Sequence, residues 1–349
     1  MICVNAGLLR PAFAVSQNQQ KSGNPSSSQK TLTFAMVGDV MMGTTFPTER
    51  LPINDGANLF RDAKKVLLNA DVAMGNLEGP LCVFGETTKE GENSYAFRTP
   101  PSYARRLKEA GFDFMSLANN HSFDFGEDGI LQTEQALDSQ GILYAGIEGR
   151  VTSVVFELKG IRIGLCAFGH NPYTVNHLYL NRVKQVLNDL KWKSDIIVVS
   201  FHGGAEGHKM RHLPYGQEIF LEENRGSLRE LAHFCVDNGA DIVYGHGPHV
   251  LRCVEVYKQK FIAYSLGNFC TPFGVNIKGI SGYAPLLEIQ TDINGNFLQG
   301  QIHPFIQRYG IGPRTDKTGA VIREMKTLTE SDILMNAVSI DWKGRIRLK

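Results

Sequence analysis

Five short apolar runs in this chain end in the same way. Thr31–Val37 runs into Gly38-Asp39, Val72–Met74 into Gly75-Asn76-Leu77-Glu78, and Phe112–Ala118 into Asn119-Asn120-His121. Ile196–Phe201 runs into His202-Gly203-Gly204-Ala205-Glu206, and Ile242–Tyr244 into Gly245-His246-Gly247-Pro248-His249. Runs of this length read as strands, and one with almost no polar interruption, such as Ile196–Phe201, reads as buried on both faces. Helical spacing separates them: Leu59, Ala63, Val66, Leu67 and Ala70; a segment opened by Pro100-Pro101 and closed by Gly111; Ile130 to Leu137 before Gly141. Val183, Val186, Leu187 and Leu190 repeat the pattern, as do Leu228, Leu231, Ala232, Cys235 and Val236 before Gly239. Turn signals make hairpins of 154–168, 254–265 and 286–305, the last turning at Asn294-Gly295. Such alternation confines the chain to a layered α/β fold with its sheets inside. Ligands of such folds bind beyond the carboxyl ends of the strands, which is where all five polar segments lie.

The donor set is carboxylate, amide and imidazole, with no thiolate. It suits one or more divalent ions, Mn, Fe or Zn, better than a cysteine-rich zinc site or an all-oxygen calcium cage. Six cysteines form no C-x-x-C pair, and Cys166, Cys235 and Cys253 sit in apolar segments as core residues. Thirty-six basic and 35 acidic residues give a net charge of +1, no footprint for nucleic acid or an anionic membrane. No apolar run reaches the roughly 18 residues of a bilayer span. Met1–Lys30 is polar and low in complexity after a short apolar stretch ending in Ala12-Phe13-Ala14; it reads as a flexible tail or the remnant of an export signal. Residues 31–316 read as one domain, and 317–349, where the pattern weakens, as a C-terminal extension.

Each site residue also has a plain reading. Gly38-Asp39 fits a turn, Glu78 a solvated loop acid, Asn120-His121 a helix cap, and His202 a satisfied core histidine. His246 and His249, three apart around Gly-Pro, cannot share a regular helix face, which favours ligation from a loop. His177, His208, His212, His233 and His303 have no such placement and read as structural or surface residues. Ser265-Leu266-Gly267-Asn268-Phe269 ends a further strand and walls the site or simply turns. The common position of the other five segments favours one shared site.

In this order the loops resemble the bacterial capsule-synthesis family of the CapA, poly-γ-glutamate type. The matching stretches are Val37–Met41, Asn76–Pro80, Phe97-Arg98 with Pro100, Ser116–His121 with Asp124 and Gly126, His202 with Gly204 and Glu206, Gly245–Val250, and Tyr264–Phe269. That family is similar to the calcineurin-type metallophosphoesterases. The resemblance implies a sandwich of mixed β-sheets flanked by helices, and a metal-dependent hydrolytic site. It implies Asp39, Glu78, Asn120, His202, His246 and His249 as metal ligands and His121 as the catalytic acid. Asn76, Arg98, Glu206 and Asn268 are expected at the substrate, an anionic polymer or a phosphate ester, with an ordinary surface arginine the alternative for Arg98. A place in the cell envelope outside the cytoplasm, beside other capsule-synthesis proteins, follows from the same likeness. Three departures matter. Asp39-Val40-Met41 stands where the superfamily has Asp-x-His, Asn76-Leu77-Glu78 replaces its bridging aspartate motif, and the last histidines are spaced H-x-x-H. Either one metal site is weak, or hydrolysis is lost while metal-assisted binding or export of an anionic polymer persists.

Overall fold

The computed structural model describes residues 30–87, 89 and 95–349. The expected tail Met1–Lys30 therefore lies outside the described residues, Lys30 apart. In chain order the strands open with β1 (Thr31–Val40), β2 (Val72–Leu77), β3 (Phe114–Ser116), β4 (Leu143–Ala145), β5 (Ser153–Leu158) and β6 (Ile161–Phe168). There follow β7 (Ile196–His202), β8 (Glu218–Phe220), β9 (Glu223–Gly226), β10 (Ile242–His246), β11 (Val254–Tyr257), β12 (Lys260–Ala263) and β13 (Asn268–Cys270). The last are β14 (Leu286–Asp292), β15 (Phe297–His303), β16 (Phe305–Arg308), β17 (Gly312–Thr315), β18 (Val338–Ile340) and β19 (Arg345–Leu348). The helices are α1 (Lys64–Asn69), α2 (Ala104–Ala110), α3 (Gly126–Ser139), α4 (Leu180–Lys191), α5 (Leu228–Asp237) and α6 (Ala320–Asp332).

Two mixed sheets carry the fold. The first runs β18-β19-β15-β14-β1-β2-β3-β4, with β13 also paired to β1; the second runs β11-β12-β10-β7-β6-β5. Their central strands are parallel and their hairpins antiparallel. Alternation along β1 explains the layering. Leu32, Phe34 and Met36 join the core shared with the second sheet, while Ala35 and Val37 join the core that holds Leu67, Leu107 and Leu137 of α1–α3. Helices α4 and α5 bury Val183, Leu187, Leu190, Leu231 and Cys235 in the first of these cores. The arrangement is the expected sandwich of mixed sheets flanked by helices. Segment 317–349 supplies α6, whose Val321, Met325 and Leu328 are buried, and the β18–β19 hairpin, which lengthens the first sheet through β15. Among the described residues no helix is long and apolar enough to cross a membrane.

Candidate metal centre

Strand register assembles the site. In the first sheet Asp39 lies opposite Asn268 on one side and Asn76 on the other. In the second sheet His202 lies opposite His246. These positions close the carboxyl ends of β1, β2, β7 and β10, so both sheets deliver their polar ends to one place. Two glycines allow the approach. A Cβ on Gly38 would sit 1.9 Å from the carbonyl oxygen of Gly267, and one on Gly247 (φ +116°) 2.3 Å from that of Gly203.

Asp39, Glu78 and His202 are buried, and each offers a donor atom within 4.8 Å of the others. His249 Nδ1 lies 3.0 Å from Asp39 Oδ2, His246 Nδ1 3.3 Å from Asp39 Oδ1, and His202 Nε2 3.4 Å from Glu78 Oε2. Both ring nitrogens of His202, both of His246, Glu78 Oε1 and Asn120 Oδ1 are buried without a hydrogen-bond partner among the described residues. Buried polar atoms are nearly always satisfied, so this concentration of unshared lone pairs marks a place suited to a cation. Burial opposes ionisation of Asp39, but the His249 hydrogen bond and the nearby His246 and His249 rings hold its carboxyl well below the usual range. Burial lowers the pKa of His202 and outweighs the pull of Glu78, which keeps a lone pair available. His249 has φ +55°, a left-handed conformation rare outside glycine, in a loop that aims its ring at Asp39. The donors fit one or two divalent ions in type, burial and spacing.

A second tier of side chains fixes the first. Asn76 Nδ2 donates to Asp39 Oδ1 at 2.9 Å and to Glu78 Oε2 at 2.5 Å, and its Oδ1 accepts from Asn119 at 3.0 Å. Asn268 bonds His249 Nδ1 through Oδ1 at 3.0 Å and donates to the carbonyls of His249 and Ser281. Both amides are fully buried and spent inside the protein, so these two residues, expected at the substrate, sit behind the carboxylate and imidazole instead. Arg98 sits elsewhere too: Nε donates to Thr45 Oγ1, and the guanidinium lies 5.1 Å from the Phe125 ring and 5.6 Å from that of Phe46. Met41, the third residue of the Asp39-Val40-Met41 stretch, is completely buried.

Asn120, His121 and Glu206 line a cleft of ≈ 350 Å³ beside the cluster. His121 Nδ1 is 2.9 Å from Asp124 Oδ2, and the same oxygen accepts from the Phe97 amide at 2.7 Å. Lys89 Nζ lies 3.2 Å from the same Nδ1 and 3.1 Å from Asp124 Oδ1, so Asp124 and Lys89 together hold that edge of the ring and Nε2 is the nitrogen left to exchange a proton. The spacing His121-x-x-Asp124 was the signal for that partner. One residue escaped the sequence reading. His170 is buried behind His202, whose backbone carbonyl accepts from His170 Nδ1 at 3.3 Å and from His177 Nε2 at 3.1 Å. Its signal was available: β6 also ends in glycine and histidine, Phe168-Gly169-His170.

Residues 33–272 match the family described as bacterial capsule synthesis protein PGA_cap. A capsule biosynthesis protein CapA of Bacillus anthracis is 30% identical over 260 residues, 68% of this chain and 59% of that protein. A PGA biosynthesis protein CapA of Bacillus subtilis (strain 168) is 28% identical over 262 residues, 69% of this chain and 64% of that protein. The chain thus spans about six tenths of the length of these two relatives. Among solved structures, a novel phosphatase from Mycoplasma pneumoniae superposes with a TM-score of 0.50 at 13% identity, covering 83% of this chain and 96% of its own. That likeness concerns the fold alone.

Proposed function

Because the chain belongs to the bacterial capsule synthesis protein PGA_cap family, we propose that it serves the synthesis of an envelope polymer of the poly-γ-glutamate type as a metal-dependent hydrolase of phosphate esters. The observation that carries this reading is the buried trio Asp39, Glu78 and His202 beside the His246 ring, whose nitrogens make no hydrogen bond among the described residues. Asp39, Glu78, Asn120, His202, His246 and His249 would hold one or two ions of Mn, Fe or Zn. Such ions supply Lewis acidity, polarising a phosphoryl oxygen and offsetting charge in the transition state. Asn76 keeps the two carboxylates at a fixed separation, and Asn268 holds the His249 ring against Asp39. His121, oriented by Asp124, delivers the proton at Nε2 to the leaving oxygen, a contribution on the order of 10²–10⁴ in rate. Partners among other capsule-synthesis proteins and a position in the cell envelope outside the cytoplasm belong to the same reading. So does the expectation that residues 31–316 act as one domain.

The test is metal content together with turnover of bis(p-nitrophenyl) phosphate after adding Mn²⁺. We expect bound metal, turnover, and loss of turnover with retained metal in His121→Ala. A specific observation favours a second reading: buried Met41 removes one ligand from the site. Full metal occupancy with no turnover of any ester would move the assignment to metal-assisted binding or export of an anionic polymer.

A further inference from the structure

The cleft beside the cluster has a composition that a polyanion does not explain. Its far wall is the β8–β9 hairpin, which brings Glu223 and Arg225 opposite Asn171 and Tyr173. Arg225 is only 5% exposed; its Nη1 bonds Glu206 Oε1 at 3.0 Å and its Nε lies 2.9 Å from Glu223 Oε2. Two carboxylates thus share one guanidinium, leaving acceptor oxygens over, while Lys89, which also lines the cleft, is turned to the buried Asp124 at 3.1 Å. Asn171 Oδ1 is a further acceptor, buried and without a partner among the described residues. A wall rich in acceptors calls for a ligand rich in donors, because an acceptor facing an acceptor is left unpaired at a cost. A chain of carboxylates brings few donors. Hydroxyl groups bring donors without charge. The cleft adds apolar ring surface: Phe123 and Tyr173 both line it and stack on each other at 5.0 Å with 20° between their planes, so an outer ring face is what a ligand meets. Flat apolar area with a few convergent polar groups is how proteins hold a small ring.

We propose that this cleft binds a neutral, hydroxyl-rich ring, so that the substrate is a phosphorylated sugar with its sugar on Phe123 and Tyr173 and its phosphoryl group at the cluster. The inference rests on the phosphoester reading above for the placement of the phosphoryl group only. Glu206, Glu223 and Asn171 accept hydroxyl protons, and Arg225 keeps the two carboxylates apart and facing inward.

The test titrates Mn²⁺-loaded protein with glucose 1-phosphate, ethyl phosphate and a tetra-γ-glutamate, and follows methyl α-D-glucopyranoside by saturation-transfer NMR. We expect glucose 1-phosphate to bind at least about tenfold more tightly than ethyl phosphate. Asn171→Ala and Glu223→Gln should abolish that advantage; Glu223 is half-exposed, so its isosteric change leaves folding intact. Equal binding of the two phosphates overturns the proposal. So does tighter binding of tetra-γ-glutamate, strengthened further in Glu223→Gln. Turnover with no preference for the sugar ester sinks the cleft assignment and leaves the hydrolase standing. Transfer to the glucoside protons, lost in Asn171→Ala, with no turnover of any ester sinks the hydrolase and leaves the cleft assignment standing.

Discussion

Two buried clusters of charge, with His246 and Arg252 six residues apart in the chain, are built on opposite plans. Arg252 is fully buried, yet every nitrogen of its guanidinium has a partner: Nη1 and Nη2 bond Glu218 at 2.8 and 2.6 Å, and Nε donates to the Met210 carbonyl at 2.9 Å. Glu218 Oε2 also accepts from the Ala205 amide. That cluster is complete, and it ties the His249 loop, the loop after β7 and the β8–β9 hairpin together. The cluster of Asp39, Glu78, His202 and His246 is as deeply buried but, among the described residues, leaves four imidazole nitrogens and a carboxylate oxygen without hydrogen bonds. Closure of every bond marks a group that serves the fold. Bonds left open mark one that serves a ligand.

The contrast can be broken experimentally, beginning where the expected effect is largest. Arg252→Met leaves Glu218 buried and alone and should cost about 3–5 kcal/mol in a urea melt, with much of it recovered in the pair Arg252→Met/Glu218→Leu. A single variant as stable as the wild type would erase the distinction. Saturating Mn²⁺, at about 100 times its Kd, should stabilise the protein by about 2.7 kcal/mol in thermal unfolding, and by nothing in Asp39→Ala. Equal shifts in both proteins would place the ion elsewhere. Asn76→Ala removes the amide between Asp39 and Glu78 and should cost about 1–3 kcal/mol. That loss should shrink when Mn²⁺ is present, since the cation then takes over the neutralisation. The smallest effect belongs to Glu223→Gln, within about 0.5 kcal/mol of wild type because half of the side chain faces water.

Much of this was legible before any coordinates. Apolar runs such as Ile196–Phe201 encode buried strands directly, and a polar residue at each strand end encodes where a ligand sits. His202 and His246, Asp39 and Asn268 meet because register places them side by side, and no single segment carries register. What stayed hidden depends on distant partners. For Arg98 the sequence leaves an anion receiver and an ordinary surface arginine open, because nothing nearby in sequence shows that Phe46 and Phe125 lie beside it. Asn76 and Asn268 looked like substrate contacts because burial behind a ligand leaves no trace in a local pattern. His170 was overlooked because 161–168 read as half of a hairpin with 153–158, although β6 also lies beside β7. The three- and four-residue strands β18 and β19 are too short to show a period, so the tie of the last residues to the first sheet was invisible.

Asp39 and His249 touch across 210 positions of the chain. That separation sets a chronology. Contacts this remote form only after the loop between them has closed, and cation affinity of this kind cannot pre-exist in an unfolded chain. Uptake of the ion would then act as a checkpoint of assembly: a molecule with either sheet unfinished has nowhere to put it. A chelator should discriminate mature from immature protein more sharply than any spectroscopic measure of secondary structure.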